Sequence, residues 1–147
     1  DEDGYIKITD RKKDIIVLSG GDTLSPQRVE GFLQLEPEIA QAMVVGDKQP
    51  YLVGLIVPDA DAAGEWAKAL GKNAALADLA EDPGFRDFME DAVERVNARL
   101  SLPERVRRFL IVPDPFTIEN AMLTPSMKIR RHIIDRVYGE QLAALRR

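Results

Sequence analysis

Cysteine is absent from the 147 residues, and histidine occurs once, as His132. Without cysteine there is no disulfide framework, no thiolate nucleophile and no Cys-ligated metal, and one histidine cannot build a multi-histidine metal site. No metal site is expected within this chain. Basic residues are also outnumbered, with 20 Lys and Arg against 25 Asp and Glu for a formal charge of −5, whereas a nucleic-acid-binding domain usually carries a basic excess. Nucleic acid is therefore not an expected partner. The longest wholly apolar stretches run four residues, such as Ile15 to Leu18, and Gly54 interrupts Leu52 to Val57. A membrane span needs about 20 apolar residues, so no transmembrane segment is expected. The opening Asp1-Glu2-Asp3-Gly4 has no basic region, no apolar region and no initiator methionine, which argues against a signal peptide and reads as an excised piece. There is no fixed-period repeat, no low-complexity segment and no Walker-type or glycine-rich nucleotide loop. The chain is not expected to cradle ATP unaided.

What is present suffices for one domain: 45% of the residues are apolar, and a chain of this size buries about 70% of its extended-chain surface. Charge is uneven. Residues 122–147 hold six basic and two acidic side chains, a net +4, leaving −9 on the first 121 residues. A basic run of this kind is ordinarily a solvated helix face.

Tyr5 to Ile8 and Ile15 to Leu18 read as short strands on either side of the charged stretch Thr9 to Asp14. Gly20-Gly21 permits a sharp turn, and Ser25-Pro26 starts a helix whose Val29, Phe32 and Leu33 share a face and which stops before Glu36-Pro37. Ala42 to Gly46 and Tyr51 to Val57 form an expected antiparallel hairpin of buried strands. Asp59 or Asp61 caps a helix through Trp66 and Leu70. A longer helix follows Asp82-Pro83, with Phe85, Phe88, Met89, Ala92, Val93, Val96 and Leu100 at helical steps. Phe109 to Val112 is a further strand ended by Pro113. The last helix should place Ile129, Ile133, Val137 and Tyr138 on one side until Gly139 weakens the pattern. The expected fold class is α+β, a small sheet with an N-terminal β-hairpin, flanked by helices.

Two segments are richer in unusual residues than a scaffold needs. In the first, four consecutive charges follow Thr9, and Ser19-Gly20-Gly21 supplies backbone without bulk, as close approach by a ligand requires. Taken alone, these residues favour an ordinary charged loop and turn. In the second, Leu123-Thr124-Pro125-Ser126-Met127-Lys128-Ile129-Arg130-Arg131, a proline-containing loop presents Lys128 beside a helix. An ammonium is a compact charge suited to phosphate or carboxylate oxygens, although most loop lysines only solubilise.

Together, DEDGYIKITDRKKDIIVLSGG followed by SPQRVE, and LTPSMKIRR about a hundred residues later, resemble the C-terminal domain of the adenylate-forming acyl-CoA synthetases, in the long-chain fatty-acid–CoA ligase branch. The resemblance covers essentially the whole chain. It implies one mobile domain over residues 1–147, with 1–21 as hinge and hairpin, 22–147 as body and the lysine loop at 123–131. It also implies a two-step reaction: fatty acid and ATP give acyl-adenylate and pyrophosphate, then CoA displaces AMP. By the same resemblance, Lys128 is the catalytic lysine, reaching the substrate carboxylate and α-phosphate. Arg11 lies near the ribose of AMP, Lys13 is the hinge, and Ser19, Gly20 and Gly21 face the pantetheine tunnel. ATP, AMP and CoA are then substrates, and Mg2+ accompanies ATP outside this fragment. The partners are a large N-terminal AMP-binding domain of the same chain, CoA and fatty acid. The implied location is cytoplasmic, any peripheral membrane association resting on the missing region, and the fragment alone is expected to be inactive.

Two departures stand out. Many relatives have glycine where Met127 stands, and the branch often has lysine or glutamate, then asparagine, where this chain has Asp22-Thr23. Two rival readings are a non-catalytic module holding an anionic partner through residues 128–136, and an RNA-binding accessory domain using the +4 tail. No aromatic platform accompanies the arginines of that tail, which counts against RNA.

Overall fold

The computed structural model describes residues 15–73 and 75–146. The expected strand over Tyr5 to Ile8, together with Arg11 and Lys13, lies outside the described residues. The N-terminal hairpin pairs β1 (Ile16–Val17) with β2 (Thr23–Leu24), antiparallel, Ile16 opposite Leu24. Its turn closes where the Gly21 N–H donates to Leu18 O at 2.9 Å. Gly21 sits at φ +98°, a conformation that costs glycine little and a side-chain-bearing residue more. Sequence pattern does not reveal β2, because two residues carry no period.

Helix α1 (Pro26–Gln34) begins as the sequence dictates: Ser25 Oγ accepts the Arg28 N–H at 3.3 Å, and Pro26 fills the first turn. Val29 and Leu33 are fully buried and Phe32 half-buried. The helix stops at Gln34, ahead of Glu36-Pro37, where the residue preceding proline is pushed out of helical conformation.

Strands β3 (Ile39–Val45) and β4 (Leu52–Pro58) form the expected antiparallel hairpin, Met43 opposite Leu55. The third strand, β5 (Val106–Ile111), lies parallel on the other edge of β4, Leu55 opposite Leu110, so the order is β3-β4-β5. Every residue of β4 is buried, because both faces of the sheet are covered. On one face Ala42, Val44, Leu52 and Ile56 pack with α1, with α2 (Ala60–Ala69) and with α4 (Pro83–Asn97). Short α3 (Leu76–Leu79) links α2 to α4. On the other face Met43, Val53, Leu55 and Val57 pack with α5 (Arg131–Ala144). Alternation along β3 and β4 thus divides the core in two. The result is the α+β arrangement expected. Among the described residues no helix is long and apolar enough to cross a membrane.

Caps and stripes largely follow the sequence. Asp59, not Asp61, caps α2, its Oδ2 accepting the Ala62 N–H at 3.0 Å. Asp82 Oδ1 accepts from Gly84 and Phe85 at the start of α4. Phe85, Met89, Ala92, Val93 and Val96 form the buried stripe of α4, with Leu100 beyond its end.

Three expectations change. Leu70 ends α2 instead of packing inside it and is 57% exposed. β5 starts three residues before Phe109, since Arg107 and Arg108 mask the alternation without preventing pairing. In α5 the buried positions are Ile134 and Leu142, with Ile133 and Tyr138 half-buried; Val137 is 54% exposed and Gly139 lies inside the helix. The stripe at 134, 138 and 142 follows four-residue steps, one position away from the face expected. Ile129 precedes the helix, bridging Leu123.

Candidate active site

Lys128 stands just past the turn of a second hairpin, closed by the same bond pattern as the first. The Arg130 N–H donates to Met122 O at 2.8 Å, Leu123 bridges Ile129, and buried Met122 and Leu123 root the structure in the core. The tip is a β-turn with Pro125 in its second position, closed by the Met127 N–H on Thr124 O at 2.8 Å. Proline presets the backbone angle needed there. Met127 follows at φ +68° and is 64% exposed. This left-handed position suits glycine, and a methionine there carries a conformational cost. Thr124 holds Lys128 by both backbone groups: its N–H donates to Lys128 O at 2.8 Å and its Oγ1 accepts the Lys128 N–H at 3.1 Å. Ser126 Oγ lies 2.9 Å from the same Oγ1. Lys128 itself is exposed, and among the described residues its ammonium has no ion-pair partner. A held backbone thus carries a cation that is unpaired among the described residues.

Beside this hairpin opens a cleft of about 650 Å³, walled by Gln27, Glu30 and Gly31 of α1 on one side and by Lys128, Arg130 and His132 on the other. Glu30 is buried, yet it is a carboxylate. It accepts a fork from Arg131, Nη1 to Oε2 and Nη2 to Oε1, both at 2.7 Å, and its Oε2 also accepts the Val44 N–H at 2.9 Å. The basic character of the chain's end is therefore partly committed inward: Arg131 meets Glu30, and Arg146 donates to Tyr51 O at 2.9 Å. Sequence reading missed the Glu30–Arg131 pair, since its members are 101 residues apart and no local pattern joins them. The Thr124 brace was legible in principle, because threonine beside a turn commonly bonds nearby backbone.

Ser19, Gly20 and Gly21 lie elsewhere, at the exposed tip of the β1–β2 hairpin. That hairpin is tied to the β3–β4 turn: Ser19 N–H donates to Gln49 O at 2.9 Å, Lys48 N–H to Val17 O at 2.7 Å, and Val17 N–H to Asp47 Oδ1 at 3.1 Å. A Cβ built at Gly20 or Gly21 would meet nothing within 4 Å, so open space surrounds the turn. These three residues do not line the Lys128 cleft. Asp22 C=O accepts the Leu18 N–H at 2.9 Å, and Asp22 lines a smaller recess of about 230 Å³ with Tyr51 and Arg107. Among the described residues no group of three or more His, Asp or Glu is placed to hold a metal ion.

The mixed three-stranded sheet between helical layers recurs in known proteins. Among solved structures, the adenylation domain of a carboxylate reductase from Mycobacterium chelonae superposes with a TM-score of 0.76 at 25% identity, covering 92% of this chain and 20% of that one. The corresponding domain from Segniliparus rugosus, solved with AMP and a co-purified carboxylic acid, gives 0.74 at 28% identity, with the same two coverages of 92% and 20%. Residues 13–146 match the family described as the AMP-binding enzyme C-terminal domain, and the chain belongs to that family. A long-chain-fatty-acid–CoA ligase of Mycobacterium tuberculosis is 38% identical over 147 residues, 99% of this chain and 24% of that protein. Long-chain-fatty-acid–CoA ligase 5 of Mus musculus is 28% identical over 145 residues, 97% of this chain and 21% of that protein. The chain thus spans about a quarter of the length of these relatives.

Proposed function

We propose that this chain is the mobile C-terminal domain of a long-chain fatty-acid–CoA ligase, which couples a fatty acid to CoA through an acyl-adenylate at the expense of ATP. The relatives' names support the substrate class, and the observation that carries the mechanism is the exposed ammonium of Lys128, unpaired among the described residues, on a backbone held by Thr124. An ammonium placed in advance stabilises negative charge developing on phosphoryl and carboxylate oxygens without reorganising at the moment of reaction. Lys128 is the catalytic residue in this reading, and closure over a pocket in a large N-terminal domain shields the adenylate from water. Arg11 would contact the ribose of AMP.

Rotation about Lys13 then withdraws Lys128 and brings Ser19, Gly20 and Gly21 against the pantetheine arm of CoA. The two groups sit on separate hairpins, as two alternating orientations require. Mg2+ would accompany ATP in the large domain, and this chain's described residues supply it no ligand set. Residues 1–21 act as hinge and hairpin, and residues 22–147 as the body. The enzyme works in the cytoplasm, any membrane association resting on the large domain, and the isolated domain is inactive. In the full-length protein, Lys128→Ala should lower acyl-adenylate formation by about 10²–10³ while leaving thioester formation from supplied acyl-adenylate intact. Undiminished acyl-adenylate formation would overturn the reading.

A further inference from the structure

Glu30 is an anomaly for folding alone. It lies on the sheet-facing side of α1 between buried Val29 and Leu33, and only 5% of it is exposed. Apolar residues commonly replace a buried ion pair without loss of stability, so the need for a core does not by itself account for a carboxylate here. Its partner is informative. Arg131 is the first residue of α5 and follows Lys128 by three positions. Both Glu30 and Arg131 line the cleft that Lys128 overlooks.

We propose that Glu30 is a positioning residue for Lys128: by gripping Arg131 and the β3 backbone together, it fixes the Lys128 hairpin against α1 and the sheet. The inference rests on the catalytic reading of Lys128. The geometry supports it in three ways. The fork uses two parallel bonds of 2.7 Å, and a planar guanidinium so held is fixed in orientation as well as distance. Glu30 Oε2 also accepts the Val44 N–H at 2.9 Å, so the carboxylate is itself oriented by a strand of the core. Within the hairpin the outgoing arm, which carries Lys128, is bonded to the incoming one by the Arg130 N–H on Met122 O and the Leu123–Ile129 bridge, and the Glu30–Arg131 fork is the ion pair that ties this arm to α1. Freed from Glu30, the hairpin could shift against α1 while its own internal bonds held. A misplacement of about 1 Å at a reacting group costs on the order of 10²-fold in rate.

The test uses the full-length protein with Glu30→Gln, which keeps the side chain's shape and an acceptor for Val44, and with Arg131→Lys, which keeps the charge but not the fork. Acyl-adenylate formation and thioester formation from supplied acyl-adenylate are measured separately, with thermal midpoints alongside. Both variants should lower the rate constant of the first step by about 10- to 100-fold, with KM for ATP and fatty acid little changed. The second step, which does not use Lys128, should stay within about twofold of the parent. The double variant should be no worse than the more impaired single one, as for residues acting through one link. Equal losses in both steps, tracking a lowered thermal midpoint, would mean a structural role only and overturn the proposal. So would a normal first step in Glu30→Gln when Lys128→Ala abolishes it. If Lys128→Ala changes nothing, the catalytic reading itself fails, and the proposal with it.

Discussion

Thr124 and Lys128 are joined twice through the Lys128 backbone, once by a main-chain bond of 2.8 Å and once through the threonine hydroxyl at 3.1 Å. The hydroxyl takes a role that a second strand-to-strand bond would otherwise fill. Thr124→Val keeps the shape and loses the acceptor, and should cost about 0.5–1.5 kcal/mol of stability together with part of the acyl-adenylate rate. Thr124→Ser should restore both. Denaturant unfolding and the first half-reaction report the outcome, and an inert Thr124→Val would show that the turn closes without the hydroxyl.

Met127 occupies a left-handed backbone position. The strain there is roughly 1–2 kcal/mol for a residue with a Cβ, partly offset by the greater freedom glycine has when unfolded. Met127→Gly should therefore stabilise the protein by about 0.5–1 kcal/mol, read as a shift in denaturant midpoint. A destabilised variant would mean that the exposed methionine side chain makes contacts worth more than the strain.

The buried face of α5 can be checked by truncation. Ile134 is fully buried, so Ile134→Ala should cost about 2–5 kcal/mol. Val137→Ala, at an exposed position, should stay within about 0.5 kcal/mol of the parent. Reversed values would restore the face read from the sequence.

Two carboxylates predict weakening in acid. Burial raises the Glu104 pKa, but hydrogen bonds from Ser101 and Arg28 outweigh it and hold the group below its ordinary value. The Lys72 hydrogen bond, aided by the backbone N–H groups of Phe85 and Gly84, lowers that of Asp82 against a smaller opposing effect of burial. A depressed folded-state pKa contributes stability above the unfolded value and loses it as pH falls through the folded one. Stability should thus decline below about pH 4, and Glu104→Gln combined with Asp82→Asn should flatten that decline in thermal midpoints taken from pH 6 downward. An unchanged slope would place the acid sensitivity elsewhere.

Much of this was legible because it is local. Ser25-Pro26 and Asp82-Pro83 announce helix starts, the α4 stripe repeats at helical steps, and the β3–β4 hairpin consists of two apolar runs about a short turn. Lys128 could be singled out from its loop, where it stands exposed. What stayed hidden depends on distant partners. β5 could not be extended through Arg107 and Arg108 without knowing that β4 awaited it. The face of α5 depends on which sheet surface it meets, and Glu30 looks like a helix-surface acid until Arg131 arrives from 101 residues away.

Leu55 pairs with Leu110 although α2, α3 and α4 all lie between them in the chain. Closing so long a detour costs entropy that no nearby contact repays in advance. The β3–β4 hairpin should therefore assemble early, with the third strand docking late, after the intervening helices have collapsed. Until then one edge of the central strand stands open to other chains, so a newly made molecule is most prone to aggregate before β5 arrives.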